Sequence, residues 1–448
     1  MQLTDFINAR PCQRVRGMRP AEVSGVTQNA RSVGPGIVFV VPESGLGCNP
    51  YAAIAAADRG ASAIICGPGT RLPHQPVPCI QVSDSRLAFA HAAAVLAGHP
   101  SRQIKIVGVR GSRARTVGRT LQQLLESSGL GCAWLGSDAC EIGGRVMPEP
   151  VGSLDASQFQ GLLTSSVNAG QKACVIELDS GLEATRLMSP ITVTIDVDAE
   201  LQSRATTLRM ISHGNLFARE LRLQPEQTGF RLSHGTEDWG YIHTAILGRT
   251  RIEDLLIAAT GGLALGLSRK DLVQGIGSLL PVAGSMQPVR AGQPFLVTVD
   301  SAESDTSLTQ VLRDARELAR GRVLLVFGTG KRHAPWQRVE LGRVAGGLAD
   351  LTWLTTDDPM SLDPSTIMNE VARGLSETSD TLPIFHSNRS KAIHDAIRGA
   401  RPGDVVVIAG KGFRRTQSTA GVCVPFDDGS EALDALAQAG WIGNEWTN

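Results

Sequence analysis

Short, almost continuously apolar runs, each followed by a stretch of helical length, recur along this chain, and that alternation restricts it to α/β architecture built on parallel sheets. The runs are Gly36-Ile-Val-Phe-Val-Val41, Ala61-Ser-Ala-Ile-Ile-Cys66, Ile104 to Val109, Ala173-Cys-Val-Ile-Glu-Leu178, Ile191-Thr-Val-Thr-Ile-Asp196, Phe295 to Asp300, Val323 to Phe327, Leu351 to Thr355 and Val405 to Ala409. Strands of this kind are covered on both faces. A length of 448 residues exceeds what one ordinary core supports. Three domains are expected: a small α/β domain over 1–100, a central doubly wound domain over 101–284, and a Rossmann-like domain over 285–448. The stop Gly98-His-Pro100 and the hinge Pro281-Val-Ala-Gly284 mark the boundaries. Between Thr206 and Ile246, shorter alternating segments indicate an antiparallel β appendage, followed by a helix over Ile252 to Leu267.

Lys plus Arg and Asp plus Glu both total 43, so no net field draws nucleic acid or an anionic membrane. The eight cysteines are scattered without a CxxC pair, which suits reduced thiols in a cytoplasm. No secretory leader and no apolar run of about 18 residues is read. A cytoplasmic location, with neither nucleic acid nor membrane as partner, is the expectation.

The turn Arg110-Gly-Ser-Arg-Ala-Arg-Thr116 joins the strand Ile104 to Val109 to an amphipathic helix. Amides at a helix start favour an anion, and three arginines surround this one. Glu177, at the carboxyl end of a buried strand, is a candidate ligand for a hard cation such as Mg²⁺. The competing reading of Glu177 is an edge carboxylate that caps a neighbouring helix.

Segments in order along the whole chain resemble signatures of the Mur ligase family, in its UDP-N-acetylmuramyl-tripeptide synthetase branch. Asn29-Ala-Arg-Ser-Val-Gly-Pro-Gly36 is similar to the segment preceding that branch's UDP-sugar site. Val107-Gly-Val-Arg-Gly-Ser-Arg-Ala-Arg-Thr116 lies at its phosphate loop "GVTGTNGKT", and Val175-Ile-Glu-Leu-Asp-Ser180 at "VMEVSS". In the last domain Val299-Asp-Ser-Ala-Glu303, Val326-Phe-Gly-Thr-Gly330, Thr355-Thr-Asp-Asp-Pro359 and Ile408-Ala-Gly-Lys-Gly412 lie at "VDYAH", "VFGCGG", "TSDNPR" and "IAGKGHE".

The resemblance implies an ATP-dependent amide ligase of peptidoglycan precursor synthesis with Mg-ATP as cofactor. It carries phosphate and nucleotide roles to Gly111, Arg115, Thr116, Asp254 and Asp300. Substrate roles go to Arg31, Asp357, Pro359, Gly410 and Lys411, and a metal role to Glu177. The chain departs from the pattern at the reacting centre. The loop lysine is Arg115 and the glycine before it is Ala114, which obstructs backbone approach and replaces a compact ammonium by a planar fork. The metal-binding "DH" pair is Ala199-Glu200. No lysine occurs between Lys172 and Lys270, so the carbamylated lysine of the family has no counterpart, and Gln202 to Thr206 is too short for its usual helix. Arg251 and Asp254 replace adenine-side asparagines, Met360 replaces the arginine of "DNPR", and Arg414 reverses the charge at the glutamate of "GKGHE".

Removing one charged hydrogen bond from a transition state costs about 1.5 to 3 kcal/mol, and about 1.36 kcal/mol is tenfold in rate. Removing several together costs many orders of magnitude. The expectation is a homologue that has lost catalysis, with no residue assigned a catalytic role, and that acts by binding a nucleotide-sugar precursor or a peptidoglycan-synthesis enzyme. The alternatives are a divergent ATP-dependent ligase acting on a UDP-muramyl peptide, with Glu177 and Glu200 sharing the metal, and a scaffold without a small-molecule site.

Overall fold

All but one of the apolar runs become inner strands of α/β sheets in the computed structural model, which describes residues 2–3, 12–17, 20–44, 47–48, 50–68, 70, 76–147, 154–178, 192–198, 210–419 and 421–441. The run Ile191 to Asp196, expected to be covered on both faces, instead gives the edge strand Val193–Asp196, in which only Ile195 is buried. Ala199, Glu200 and the segment Gln202 to Thr206 lie outside the described residues.

The first sheet runs, edge to edge, Cys12–Arg16, Cys79–Val82, Ala63–Cys66, Ile37–Val40 and Gly25–Thr27, with only Cys12–Arg16 antiparallel to its neighbour. Val38, Val40 and Ile65 pack one face against Phe89 and Ala92 of the helix Ser85–Leu96. Phe39 and Ile64 pack the other against Ala53 and Ala56 of the helix Pro50–Asp58. Asp84 starts the Ser85–Leu96 helix by accepting the amides of Arg86 and Leu87.

A second sheet has the order Arg145–Met147, Cys140–Ile142, Cys132–Leu135, Ala173–Glu177, Lys105–Arg110, Val193–Asp196. Its last four strands are parallel, while the first two form an antiparallel hairpin at the edge. The apolar runs of the sequence did not indicate this hairpin. Its strands have three residues each, too few for a periodic signal. Helices Ala114–Ser127 and Ala156–Asn168 accompany this sheet, the second opened by a capping box between Asp155 and Gln158. Because the strands run in parallel, Arg110, Glu177 and Asp196 all end at one sheet edge.

The antiparallel appendage has four strands in sequence order, Met210–His213, Leu216–Leu223, Thr228–His234 and Glu237–Thr244. Next comes the helix Arg249–Ala264, which starts three residues before the sequence expectation. Almost all of its first three turns is buried, including the charged Arg251, Glu253 and Asp254. The last sheet runs Gln287–Val289, Leu296–Asp300, Val405–Ala409, Val323–Thr329, Leu351–Thr356 and Ile384–Phe385, parallel except at its first edge. Leu325, Phe327 and Val407 meet Val311 and Leu312 on one face, and Val326, Val406 and Ile408 meet Ile393 and Leu436 on the other. Helices on both faces make this sheet doubly wound, so its ligand-facing crevice lies at the carboxyl ends of the strands.

The chain divides into two compact units, 1–118 with 129–198, and 119–128 with 199–448. Among the described residues no helix is long and apolar enough to cross a membrane.

Candidate functional site

In the first unit the turn after the strand Lys105–Arg110 presents its amides at the start of the helix Ala114–Ser127, as an anion cradle would. The protein's own carboxylate occupies that position. The Ser112 backbone N–H donates to both Asp198 oxygens (3.2 and 3.0 Å), and the Ser112 hydroxyl donates to Oδ1 at 2.6 Å. Gly111 sits at φ +112°, and a Cβ there would lie 3.0 Å from the Asp198 carboxyl carbon, so only glycine allows this approach. Beside it, Arg110 Nε donates to Asp196 at 2.8 Å.

Arg115, at the position of the family's lysine, does not face this cradle's acceptor. Its Nε and one terminal nitrogen donate to Asp138 Oδ2 at 3.1 and 3.0 Å, and the side chains of both partners are about nine-tenths buried. Asp138 is held in turn by Trp134 Nε1–H at 2.7 Å and by the Ala139 amide. Glu177 accepts the backbone N–H of Ser137 at 2.7 Å, so it caps the segment that carries Asp138. Thr116 is half-buried in the first turn of the helix, and Ala114 is buried. Gly111, Arg115, Thr116 and Glu177 therefore share one sheet edge. Arg31 does not: it is exposed on a short 3-10 turn next to Gly25–Thr27 of the other sheet, its amide taken by Asn29.

In the second unit, Asp357, Pro359, Gly410 and Lys411 come together at the carboxyl ends of Leu351–Thr356 and Val405–Ala409. Lys411 Nζ lies 3.2 Å from Asp357 Oδ1 and donates to Thr416 O at 2.7 Å, and neither charged side chain is exposed at all. Arg332 and Arg414 each approach Asp357 Oδ2 at 2.7 Å and also share Glu303, at 3.1 and 2.9 Å. Arg414 further donates to Gly410 O at 2.7 Å. Below this layer, Arg389 makes a two-pronged pair with Asp428 (2.7 and 2.6 Å) and reaches Ala409 O. Burial alone would push the Asp357 carboxyl up, but Arg389, Arg414, Lys411 and Arg332 outweigh it and hold the group below the ordinary range. Burial lowers His333, whose Nε2 lies 2.9 Å from Glu303 O.

Asp254 and Asp300 form a third group, around Arg251. Arg251 donates to Asp254 at 2.9 Å, while Asp300 accepts the amides of Met286 and Ala302, both at 2.8 Å. Burial raises the Asp300 carboxyl, with Arg251 opposing.

A magnesium nucleotide, which the resemblance implies, meets an unsuitable donor set here. The Ser112 amide and hydroxyl serve Asp198, Arg115 serves Asp138, and Glu177 serves Ser137. Among the described residues no three His, Cys, Asp or Glu side chains converge as a metal ion would require. Asp138, Asp198 and the Arg389–Asp428 pair were not legible in the sequence. Its one usable signal was that several arginines in turns and at helix starts each need a carboxylate, and spacing does not identify which.

Residues 286–412 match the family described as Mur ligase, glutamate ligase domain. The chain is 29% identical to the UDP-N-acetylmuramyl-tripeptide synthetase of Deinococcus radiodurans, covering 98% of this chain and 100% of that protein. It is 27% identical to the UDP-N-acetylmuramoyl-L-alanyl-D-glutamate--2,6-diaminopimelate ligase of Solibacter usitatus, over 94% of each. A solved structure of a ligase with that same description superposes with a TM-score of 0.65 at 20% identity, covering 98% of this chain and 99% of the other.

Proposed function

We propose that this chain, whose residues 286–412 match the Mur ligase glutamate ligase domain, retains the Mur ligase fold without the phosphoryl-transfer step, and acts in the cytoplasm by binding a nucleotide-sugar precursor of peptidoglycan or an enzyme that uses one. The observation that carries this reading is the internal engagement of the phosphate loop. Arg115, at the position of the family's lysine, is committed to Asp138, and the Ser112 amide and hydroxyl to Asp198. Phosphoryl transfer depends on positioned cations and donors that stabilise the moving charge. A guanidinium pinned to an internal carboxylate must first break that pair, at a cost in free energy, before it can meet a phosphate.

The ligand class follows from the relatives, which are named for UDP-N-acetylmuramyl peptides. No contribution from nucleic acid or membrane is proposed, given the balanced charge. The test incubates the protein with Mg-ATP, UDP-N-acetylmuramoyl-L-alanyl-D-glutamate and diaminopimelate. The expected outcome is no ADP above background, together with a rise in Tm on adding the UDP-muramyl dipeptide alone. Turnover at any rate that scales with protein concentration sinks the reading.

A second reading, a divergent ATP-dependent ligase, is favoured by the retention of Gly111 and Thr116 and by Glu177 at the carboxyl end of its strand. It expects ADP formation that Glu177→Gln abolishes.

A further inference from the structure

The helix Arg249–Ala264 starts against the helix Asp305–Leu318 through bonds that the loop chemistry above does not use. The Thr250 backbone N–H donates to both oxygens of Asp314, at 3.3 and 3.2 Å. Gly248 precedes it, and a Cβ there would lie 2.7 Å from Asp314 Oδ2, so the approach tolerates only glycine. One turn along the Asp305–Leu318 helix, Glu317 makes a two-pronged pair with Arg249 (3.1 and 3.0 Å). Arg251 is buried between these elements. It bonds to Asp254 on its own helix and lies within the electrostatic reach of Asp300, at the end of the strand Leu296–Asp300, and of Asp314.

One buried guanidinium thus faces the three buried carboxylates Asp254, Asp300 and Asp314. Each of these carboxylates is buried, where ionisation is costly unless the group is paired and hydrogen-bonded. We propose that the Arg251–Asp254–Asp300–Asp314 cluster is a proton-sensitive latch that fastens the helix Arg249–Ala264 to the C-terminal α/β layer. The latch is independent of any nucleotide and of the binding role proposed above. Its titrating member is Asp314. Asp314 is buried, accepts the Thr250 backbone N–H through two long bonds together with a bond from the Thr250 side chain, and faces the like charge of Glu317 on its own helix. The charged groups that act on it are Arg251, from the helix Arg249–Ala264, and Glu317, from its own helix.

Burial pushes the Asp314 carboxyl up to about 7, with Arg251 and the Thr250 bonds opposing. A carboxylate whose folded value is raised supplies stability that is complete below its ordinary value of 3.8 and is lost as pH rises through about 7. Opening the latch therefore becomes about tenfold easier between pH 6 and pH 8.

Amide hydrogen exchange over residues 249–256, corrected for the intrinsic rate, reads this directly. The wild type is expected to lose about tenfold in protection from pH 6 to pH 8, and Asp314→Asn, which keeps the shape without the charge, is expected to lose clearly less. A flat wild type, or an Asn variant with the full response, overturns the latch. Should the variant fail to fold, the carboxyl carbon of Asp314 in the wild type decides: a titration midpoint near 7 supports the latch, and one near 4 overturns it.

Discussion

At the carboxyl edge of the central sheet, Ser112 and Arg115 meet Asp198 and Asp138 at a rim where Gly111, Ser112 and Asp198 are exposed. At the carboxyl edge of the C-terminal sheet, Lys411, Arg332 and Arg414 converge on Asp357, and the Lys411–Asp357 pair has no exposure. Both edges lie where doubly wound folds bind ligands, and both have turned their charged groups inward. They differ in what an external anion would have to displace. Water already competes for the Ser112–Asp198 bonds, so breaking them costs little. Removing Asp357 leaves an ammonium in the interior, where an unpaired charge is expensive.

The largest effect that this contrast predicts is at Asp357. Asp357→Asn leaves Lys411 with Asp358 at 3.4 Å as its remaining carboxylate and brings three cations closer to mutual repulsion. A loss of about 3–5 kcal/mol is expected in urea denaturation at pH 7. The Asp357 carboxyl is depressed in the folded state, so its contribution is present above the ordinary value of 3.8 and is lost as pH falls through the lower folded value. The gap between wild type and variant should accordingly narrow only in strong acid. A loss below about 1 kcal/mol would mean that Glu303 and Asp358 carry the cluster without Asp357.

An intermediate effect is expected at Asp138, which accepts from Arg115, Trp134 and the Ala139 amide. Asp138→Ala should cost about 1.5–3 kcal/mol, the range for a charged hydrogen bond with a largely buried partner. The emission of Trp134 should shift as its indole N–H loses its acceptor. An unchanged spectrum and stability would place Arg115 free to meet a ligand, and would blur the contrast between the two edges.

The smallest change in stability is expected at Asp198. Asp198→Ala should shift stability by less than about 1 kcal/mol, because the interaction is exposed. It should also open the Ser112 donors to inorganic phosphate. At about ten times Kd, phosphate would then stabilise the variant by about 1.4 kcal/mol, and the wild type by less. Equal phosphate stabilisation of the two proteins would show that Asp198 does not compete for the cradle.

The strands at the centres of the sheets were legible because runs such as Val323 to Phe327 and Val405 to Ala409 are apolar on both faces, and only a covered parallel sheet accommodates that. The short hairpin Cys140–Ile142 with Arg145–Met147 and the edge strands Gln287–Val289 and Ile384–Phe385 were not, since two or three residues carry no period. Site positions were legible in part. Gly111, Thr116 and Glu177 fall at one strand edge, and Asp357, Gly410 and Lys411 at another, as their places after apolar runs implied. Their partners were not, because Ser112 and Asp198 are 86 positions apart and Arg115 and Asp138 are 23 apart.

By itself, then, the sequence determined which segments must be buried and where each strand ends, since apolar periodicity is a local property read within a few residues. It also determined the family resemblance and the loss of lysine at the loop. Only the tertiary structure decided which carboxylate each cation meets. That choice depends on which strand and helix ends become neighbours, and Coulomb energy falls with distance in space, whatever the distance along the chain.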